Sequence, residues 1–145
     1  MTKAGGALTG IYHHTIDSKN RIFIPVRLRE ELGDVFYVTL SMEKCLSGYT
    51  PEAWERMKEK MREMPMASRK KMRPIFAHAS KCELDSQGRI LLPQHLREFA
   101  ELEKNVTVVG VDECVEFWDS ENWSAVDEAE TTPENIREVL TELDF

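Results

Sequence analysis

A short element that suits the binding of anions occurs twice in this chain of 145 residues. Asp17 precedes Arg21 by four positions, and Asp85 precedes Arg89 in the same way. The planar guanidinium of an arginine can donate two parallel hydrogen bonds to a phosphate or to the edge of a guanine base. The carboxylate can orient that guanidinium across a turn, although phosphates would repel it from a direct contact. We expect Arg21 and Arg89 to contact nucleic acid. The alternative is that each Asp–Arg pair forms only an internal ion pair that braces its turn.

The two elements belong to a longer internal duplication. Residues 16–30 align with residues 84–98 at an offset of 68, and eight of the fifteen aligned positions are identical. Further along, Trp54 matches Trp123 at an offset of 69, which indicates one inserted or deleted residue in a loop. We expect both tryptophans to lie in the core. The chain is therefore predicted to be two copies of one unit, related by a pseudo-twofold axis. Each copy alone would be marginally stable, but the two together can bury one continuous core.

Each copy is predicted to form a strand, a turn, a second strand, a short helix and two more strands, with a further helix at its end. The turns are residues 17–20 and 85–88, where Asn20 and Gly88 tolerate the required backbone angles. Thr50 and Asp119 suit the N-caps of the two further helices. β-branched and aliphatic residues favour the strands, and a proline before each short helix suits a helix start. The fold class is therefore α+β, mainly β. The predicted elements are a strand ending near Ile16, strands over 21–24, 35–40 and 45–49 and a helix over 26–32, and in the second copy a strand ending near Leu84, strands over 89–92, 106–111 and 114–118 and a helix over 94–100.

The duplication divides the chain into segments 8–65, 66–75, 76–128 and 129–145. The first and third are the two copies of the unit. The second is a basic linker, in which four of the six residues from 68 to 73 are cationic. This linker is either a solvated connector or a patch that follows the phosphates of a nucleic acid.

The last segment is predicted to form an acidic amphipathic helix. Thr132 suits the N-cap and Pro133 the first helical position. Apolar residues then follow at the spacing of one helix face, namely Ile136, Val139, Leu140 and Leu143. This face either packs on the protein's own chain or a neighbouring subunit, or docks on another protein.

The distribution of charge favours a nucleic-acid partner more than the total does. The net charge of −7 argues against such a partner. Residues 112–145, however, hold 12 of the 26 acidic residues and only one of the 19 basic residues. The rest of the chain therefore carries a net charge of about +4 on this count, which allows a basic face there.

The composition also limits the class of protein. Hydrophobic residues make up 41% and charged residues 31%, which is typical of a globular chain. The longest apolar run is far shorter than the ~20 residues that cross a bilayer, and the first residues do not resemble a signal peptide. We expect a cytoplasmic protein whose three separated cysteines stay reduced. Because common catalytic motifs and metal-ligand spacings are absent from the sequence, we expect no enzyme activity, cofactor, metal ion, membrane partner or small-molecule substrate.

The duplicated D-x-x-x-R element, with its R-x-x-x-P-x-x-L-R continuation, resembles the MraZ family over roughly residues 8–128. These are bacterial regulators with two AbrB-like DNA-binding units in one chain. The resemblance implies a swapped-hairpin β-barrel with short flanking helices, and assembly into ring-shaped homo-oligomers. It also implies nucleoid association, with double-stranded DNA as the partner. The expected targets are short direct repeats in the promoter of the division and cell-wall gene cluster.

The resemblance also carries over to individual residues. Arg21 and Arg89 occupy the arginine of the family element, and Asp17 and Asp85 occupy its turn-orienting aspartate. The predicted DNA-contacting residues are the cations on or beside the duplicated turns: Arg21, Arg89, Lys19, Arg27, Arg29 and Arg97. The first copy is the more basic, because the second has Gln87 in place of Lys19 and His95 in place of Arg27. The two halves are therefore expected to bind unequally.

An alternative to a regulator is a protein-interaction module. AbrB-like units also occur in antitoxins, where they usually appear once per chain beside a disordered tail that binds the toxin. Two fused units and a helical tail argue against this alternative without excluding it.

Overall fold

The computed structural model describes residues 8–145. The first copy contains β1 (Leu8–Thr15), β2 (Arg21–Phe23), α1 (Val26–Leu32), β3 (Val35–Leu40), β4 (Cys45–Tyr49) and α2 (Pro51–Arg62). The basic linker holds α3 (Met66–Arg69), a 3₁₀ turn (Lys70–Met72) and the start of α4 (Arg73–Ala77). The second copy contains β5 (Ser80–Glu83), β6 (Arg89–Leu91), α5 (Gln94–Phe99), β7 (Asn105–Asp112), β8 (Cys114–Asp119) and α6 (Ser120–Glu130), and α7 (Pro133–Glu142) follows. The predicted α+β class and the order of elements in both copies are confirmed.

Six strands form one antiparallel sheet in the order β1-β7-β8-β4-β3-β5. The equivalent strands of the two copies are β1 and β5, β3 and β7, and β4 and β8. When each strand is replaced by its equivalent, the order is reversed, as a pseudo-twofold axis requires. Three of its five pairs join the two copies: β1 with β7, β4 with β8 and β3 with β5. The sheet is open, with β1 and β5 at its edges. Its pairing therefore does not confirm the barrel that the resemblance implies.

The remaining two strands, β2 and β6, pair with each other across the axis. Ile22 faces Ile90 at the centre of this antiparallel pair, and Arg21 faces Leu91. Because β2 and β6 each follow one of the duplicated turns, this pairing brings the two turns together.

One hydrophobic core is shared by the two copies. Its fully buried side chains come from matching positions: Ile22 and Ile90, Ile24 and Leu92, Leu28 and Leu96. Full burial of such a side chain stabilises a fold by about 1.5–3 kcal/mol relative to exposure. Neither copy could bury its half of this core without the other.

The two matched tryptophans differ in burial. Trp54 is 6% exposed, stacks on Tyr37 with 5.1 Å between ring centroids and meets the edge of Phe76 at the same distance. Trp123 is half-buried and packs beside Trp118, with 5.8 Å between centroids, against a separate small cluster. The predicted core position is confirmed for Trp54, whereas Trp123 borders the second cluster.

The three longest helices begin where the sequence predicts. The side chains of Thr50, Asp119 and Thr132 each accept a hydrogen bond from the backbone N–H three residues later, at 3.1, 3.0 and 3.2 Å. Each bond satisfies an N–H group that has no partner within the helix. Within residues 8–145, no helix combines the length and the apolar character that crossing a bilayer requires.

The three cysteines carry free thiols. Burial raises the pKa of Cys45 to about 12, and it raises the pKa of Cys82 and Cys114 to about 11. All three thiols are therefore protonated at neutral pH, the form in which cysteine is a poor nucleophile.

Candidate nucleic-acid interface

The first duplicated turn is organised by the side chain of Asp17. Its Oδ1 accepts hydrogen bonds from the backbone N–H groups of Lys19 and Arg21, both at 2.9 Å. Its Oδ2 accepts a third from Nε of Arg21, also at 2.9 Å. These bonds, led by the one from the Arg21 backbone, lower the pKa of Asp17, so it is ionised at neutral pH. The carboxylate thus both closes the turn and orients the guanidinium.

The second turn repeats this arrangement. Oδ1 of Asp85 accepts from the backbone N–H groups of Gln87 at 2.9 Å and Arg89 at 3.0 Å, and Oδ2 accepts from Nε of Arg89 at 2.9 Å. The hydrogen bond from the Arg89 backbone is again the main cause that lowers the pKa of Asp85. The internal ion pair considered from the sequence is therefore present in both turns.

The two turns lie against each other. The backbone N–H of Ile24 donates to the carbonyl of Gly88 at 2.9 Å, and that of Leu92 donates to the carbonyl of Asn20 at 3.0 Å. A longer ion pair crosses between the turns, since Nη1 of Arg89 lies 3.7 Å from Oδ2 of Asp17.

Both guanidinium groups are therefore placed on one side of the molecule. The side chain of Arg21 is 29% exposed and that of Arg89 is 25% exposed. Within residues 8–145 the side chain of Arg21 donates its hydrogen bond to Asp17 from Nε, and its terminal nitrogens make no hydrogen bond there. This geometry leaves donors of Arg21 available to an anion while the ion pair holds the side chain in place.

Arg29 and Arg97 brace the turns from the short helices. Nε of Arg29 donates to the carbonyl of Ile24 at 2.7 Å, and Nε of Arg97 donates to that of Leu92 at 2.9 Å. The Arg29 guanidinium also lies over the ring of Phe23, 4.5 Å from its centroid. Both arginines are half-buried, and their predicted contact with DNA stays a prediction.

The two remaining predicted cations, Lys19 and Arg27, are exposed. Lys19 sits at the tip of the first turn, and Arg27 lies on the first turn of α1. In the second copy, His95 takes the place of Arg27 and its Nε2 lies 3.2 Å from the carbonyl of His78. Exposed cations are thus concentrated on the first copy, as the sequence indicates.

Three residues outside the predicted DNA-contacting set also shape the turns. Asn20 and Gly88 occupy the same turn position with φ of 63° and 78°, the left-handed region that glycine and asparagine tolerate best. Phe23 contacts both Arg29 and His14, whose ring centroid lies 5.2 Å away. Burial lowers the pKa of His14, so this ring adds no charge at neutral pH. Asn20 and Gly88 are turn residues that the sequence predicts, whereas it does not predict the contacts of Phe23.

The basic linker is only partly available to a ligand. Nη2 of Arg69 donates to the carbonyls of Arg62 at 2.8 Å and Met64 at 3.4 Å, so this cation caps the end of α2. Lys70 and Lys71 are exposed. The linker is thus partly a structural brace, and whether its other cations follow phosphates stays a prediction.

The described residues offer no group of three or more histidine, cysteine or acidic side chains that could hold a metal ion.

A comparison with protein-family models matches almost the whole chain in two tandem parts. The model described as "MraZ protein, putative antitoxin-like" matches residues 7–73 and again residues 75–141. Each match therefore includes one duplicated turn and the elements around it, and the second also includes most of α7.

Proposed function

Since this chain belongs to the MraZ family, we propose that it is a sequence-specific DNA-binding transcriptional regulator. In this proposal it acts in the cytoplasm, at the nucleoid, as a homo-oligomer. Its target is a set of short direct repeats in the promoter of the bacterial division and cell-wall gene cluster. We further propose that the open sheet and the β2–β6 pair together are the counterpart of the swapped-hairpin barrel of AbrB-like units. The proposal assigns the chain no catalytic step, cofactor or small-molecule substrate.

The observation that carries the proposal is the pairing of the two turns. Arg21 and Arg89 are both tied to Asp17, at 2.9 Å and 3.7 Å, and therefore lie close together on one side of the molecule. A guanidinium held by an ion pair loses little side-chain freedom when it binds a phosphate or a base edge. Lys19 adds an exposed cation at the tip of the first turn. Two such turns form a single basic edge that one duplex can contact.

A single copy of this edge would bind weakly, which is why the proposal requires an oligomer. Each phosphate neutralised contributes about −0.9 to the slope of log affinity against log salt, and one chain offers only a few cations. Several chains that engage several repeats together gain avidity of ~10² or more. Identical subunits related by a head-to-tail operation present this edge in one sense, which suits direct repeats better than palindromes.

Binding to duplexes with different numbers of repeats tests the proposal. The duplexes are taken from the chain's own upstream promoter and carry one repeat or three repeats spaced about one helical turn, roughly 10 base pairs. We expect the three-repeat duplex to bind at least about 100-fold more tightly. A matched duplex with the spacing changed by half a turn should lose most of that gain. Equal affinity for all three duplexes would contradict the proposal.

The family description favours one second candidate, an antitoxin-like module that binds a small protein partner. Isolation of the chain from its own cells, followed by mass spectrometry, distinguishes the two candidates. A stoichiometric small protein that dissociates the chain from DNA would favour the antitoxin-like function. A chain isolated with itself and DNA alone would favour the regulator.

A further inference from the structure

The C-terminal helix α7 leaves its apolar face uncovered. The four residues of the predicted stripe are between 45% and 62% exposed: Ile136, Val139, Leu140 and Leu143. Packing on the protein's own chain, one alternative that the sequence left open, is therefore not what the structure shows. The helix is also acidic, since residues 133–145 carry four carboxylates and one cation. A surface that combines exposed leucine-sized side chains with negative charge is suited to bind an apolar surface with a basic rim.

A groove with these properties lies on the first copy of the unit. It runs along α2, has a volume of about 270 Å³, and is lined by four half-buried methionines: Met57, Met61, Met64 and Met72. Arg56 and Lys60 also border it and are exposed. Arg56 pairs with Glu113, a third charged residue of the rim, at 2.9 Å, so among the described residues the rim keeps one unpaired cation, Lys60. Methionine side chains are flexible and polarizable, which lets such a groove adapt to the shape of an inserted helix.

The groove and the helix come from different parts of the chain. The groove is built mainly on α2 and the linker, with Glu113 of the second copy at its rim, whereas α7 follows the second copy. Both surfaces remain open in a single chain, and they complement each other in apolar character and in charge. A second molecule of the same chain would therefore bring both surfaces that the contact needs.

We propose that α7 of one molecule docks its apolar face in the methionine groove of the next. The contact is heterologous, because two different surfaces of the chain meet. Repeated from molecule to molecule, it builds a closed ring if the rotation closes and a filament if it does not. This inference rests on the homo-oligomer of the proposed function and supplies its subunit contact, but it involves no DNA.

Solution mass measured without DNA tests the contact. The wild-type chain should have a mass of several times 16.8 kDa. Leu140→Glu on α7 and Met61→Glu in the groove should each reduce the mass to that of one chain, because each places a carboxylate in the apolar contact. Thr141→Glu adds the same charge to α7 away from the stripe and should leave the mass unchanged. Lys60→Glu, which reverses a rim charge without touching the core, should weaken assembly and so covers the case in which Met61→Glu fails to fold.

A mixing experiment separates this contact from every symmetric one. The Leu140→Glu chain keeps an intact groove, and the Met61→Glu or Lys60→Glu chain keeps an intact helix. Mixed together, the two variants can form only one productive contact, so we expect dimers of one chain of each kind and nothing larger. A single-chain mass for the wild type, variants that assemble like the wild type, or a mixture that does not associate would each overturn the inference.

The outcome is independent of the DNA-binding proposal. A chain with both Arg21→Ala and Arg89→Ala should keep the wild-type mass, because neither residue lies on α7 or the groove. If assembly proceeds without α7 while repeats are still bound cooperatively, the contact is wrong and the proposed function stands. If the helix and groove variants dissociate as expected but the wild type binds one repeat as tightly as three, the contact stands and the proposed function is wrong.

Discussion

The two duplicated turns share one framework and differ at their tips. In both, the aspartate accepts the same three hydrogen bonds at 2.9–3.0 Å, two from backbone N–H groups and one from the arginine Nε. The tip residue is Lys19 in the first turn and Gln87 in the second. Both turns thus keep the same aspartate–arginine framework, whereas the exposed tip residue differs in charge between them.

The ion pairs across the axis are also unequal. Arg89 reaches Asp17 at 3.7 Å, but the described residues hold no ion pair from Arg21 to Asp85. Asp17 therefore faces two guanidinium groups and Asp85 faces one. The first turn is therefore the more electropositive at its tip. Arg89 of the second turn is the more restrained arginine, because it contacts both aspartates.

The largest expected difference between the turns is in the effect of removing each arginine. Arg21→Ala and Arg89→Ala should each weaken DNA binding by about 1–3 kcal/mol, or about 5- to 150-fold. Arg21→Ala should cost more, because Arg89 shares its Nη1 with Asp17. Fluorescence anisotropy on the three-repeat duplex measures both, and Lys81→Ala on β5 is the matched loss of an exposed cation. A larger loss of DNA affinity from Arg89→Ala than from Arg21→Ala would contradict this expectation.

The fourth position of the turn, which is Asn20 in the first and Gly88 in the second, should also distinguish the two turns, through the effect of substitutions on Tm. Gly88→Ala places a side chain at φ of 78°, where its Cβ would collide with the Arg29 guanidinium. Gly33→Ala is a control without a collision, since no atom lies within 4 Å of an added Cβ at Gly33. Gly33 has φ of 84° and ψ of −179°, a backbone region essentially restricted to glycine, so strain there costs about 1–3 kcal/mol and Gly33→Ala should lower Tm by several degrees. Gly88→Ala should lower Tm at least as much, because the collision adds to its own backbone strain. Asn20→Gly should be tolerated.

A much smaller Tm loss for Gly88→Ala than for Gly33→Ala would show that Arg29 moves aside at little cost. In that case, the double variant Gly88→Ala with Arg29→Ala would be no more stable than Gly88→Ala alone. We expect the opposite, with part of the loss recovered in the double variant.

Exchange of the tip residues should change the salt dependence of DNA binding. Lys19→Gln should make the slope of log affinity against log salt less steep by about 0.9 for each engaged chain, and Gln87→Lys should make it steeper by a similar amount. The affinity at a fixed salt concentration should change only a few-fold. Titrations at four salt concentrations measure the slope. No change for Lys19→Gln would remove this residue from the interface.

The smallest expected difference is in stability at acid pH. The pKa of Asp17 and that of Asp85 are lowered in the folded chain, so their contribution is present above their ordinary value of 3.8 and is lost as the pH falls through the lower, folded value. Tm should therefore fall as the pH drops below about 4. Asp17→Asn and Asp85→Asn should each flatten this fall, and Asp17→Asn more so because Asp17 faces two arginines. Equal Tm-against-pH profiles for the two variants would show that the ion pair between Arg89 and Asp17 contributes nothing to stability.

Local structure was predictable from the sequence because its causes are local. The bounds predicted for α1, β3 and β4 agree with the structure, and Thr50, Asp119 and Thr132 cap helices as expected. Alternating apolar residues, prolines and cap residues act within a few positions of one another. The Asp–Arg bond across each turn is local in the same sense.

Long-range structure was not predictable in the same way. The sequence shows a duplication, but not that β1 pairs with β7 or that β2 pairs with β6. Those pairings depend on packing between copies, which no short pattern encodes. Arg29 illustrates the same limit. Its position follows from the repeat, but the placement of its guanidinium beside Gly88 of the other copy depends on how the two copies pack.

Removal of both turn arginines tests most directly whether the adjacent turns form one DNA-binding edge. The measurement compares the affinity of the Arg21→Ala Arg89→Ala chain with that of Lys70→Ala Lys71→Ala, which removes the same charge from the exposed linker. With the mass and Tm of both variants unchanged, the turn variant should bind the three-repeat duplex at least about 30-fold more weakly than the wild type. The linker variant should lose only a few-fold in DNA affinity, and a lower salt concentration should restore that affinity. A linker variant that loses as much as the turn variant, or a turn variant that binds like the wild type, would contradict the account.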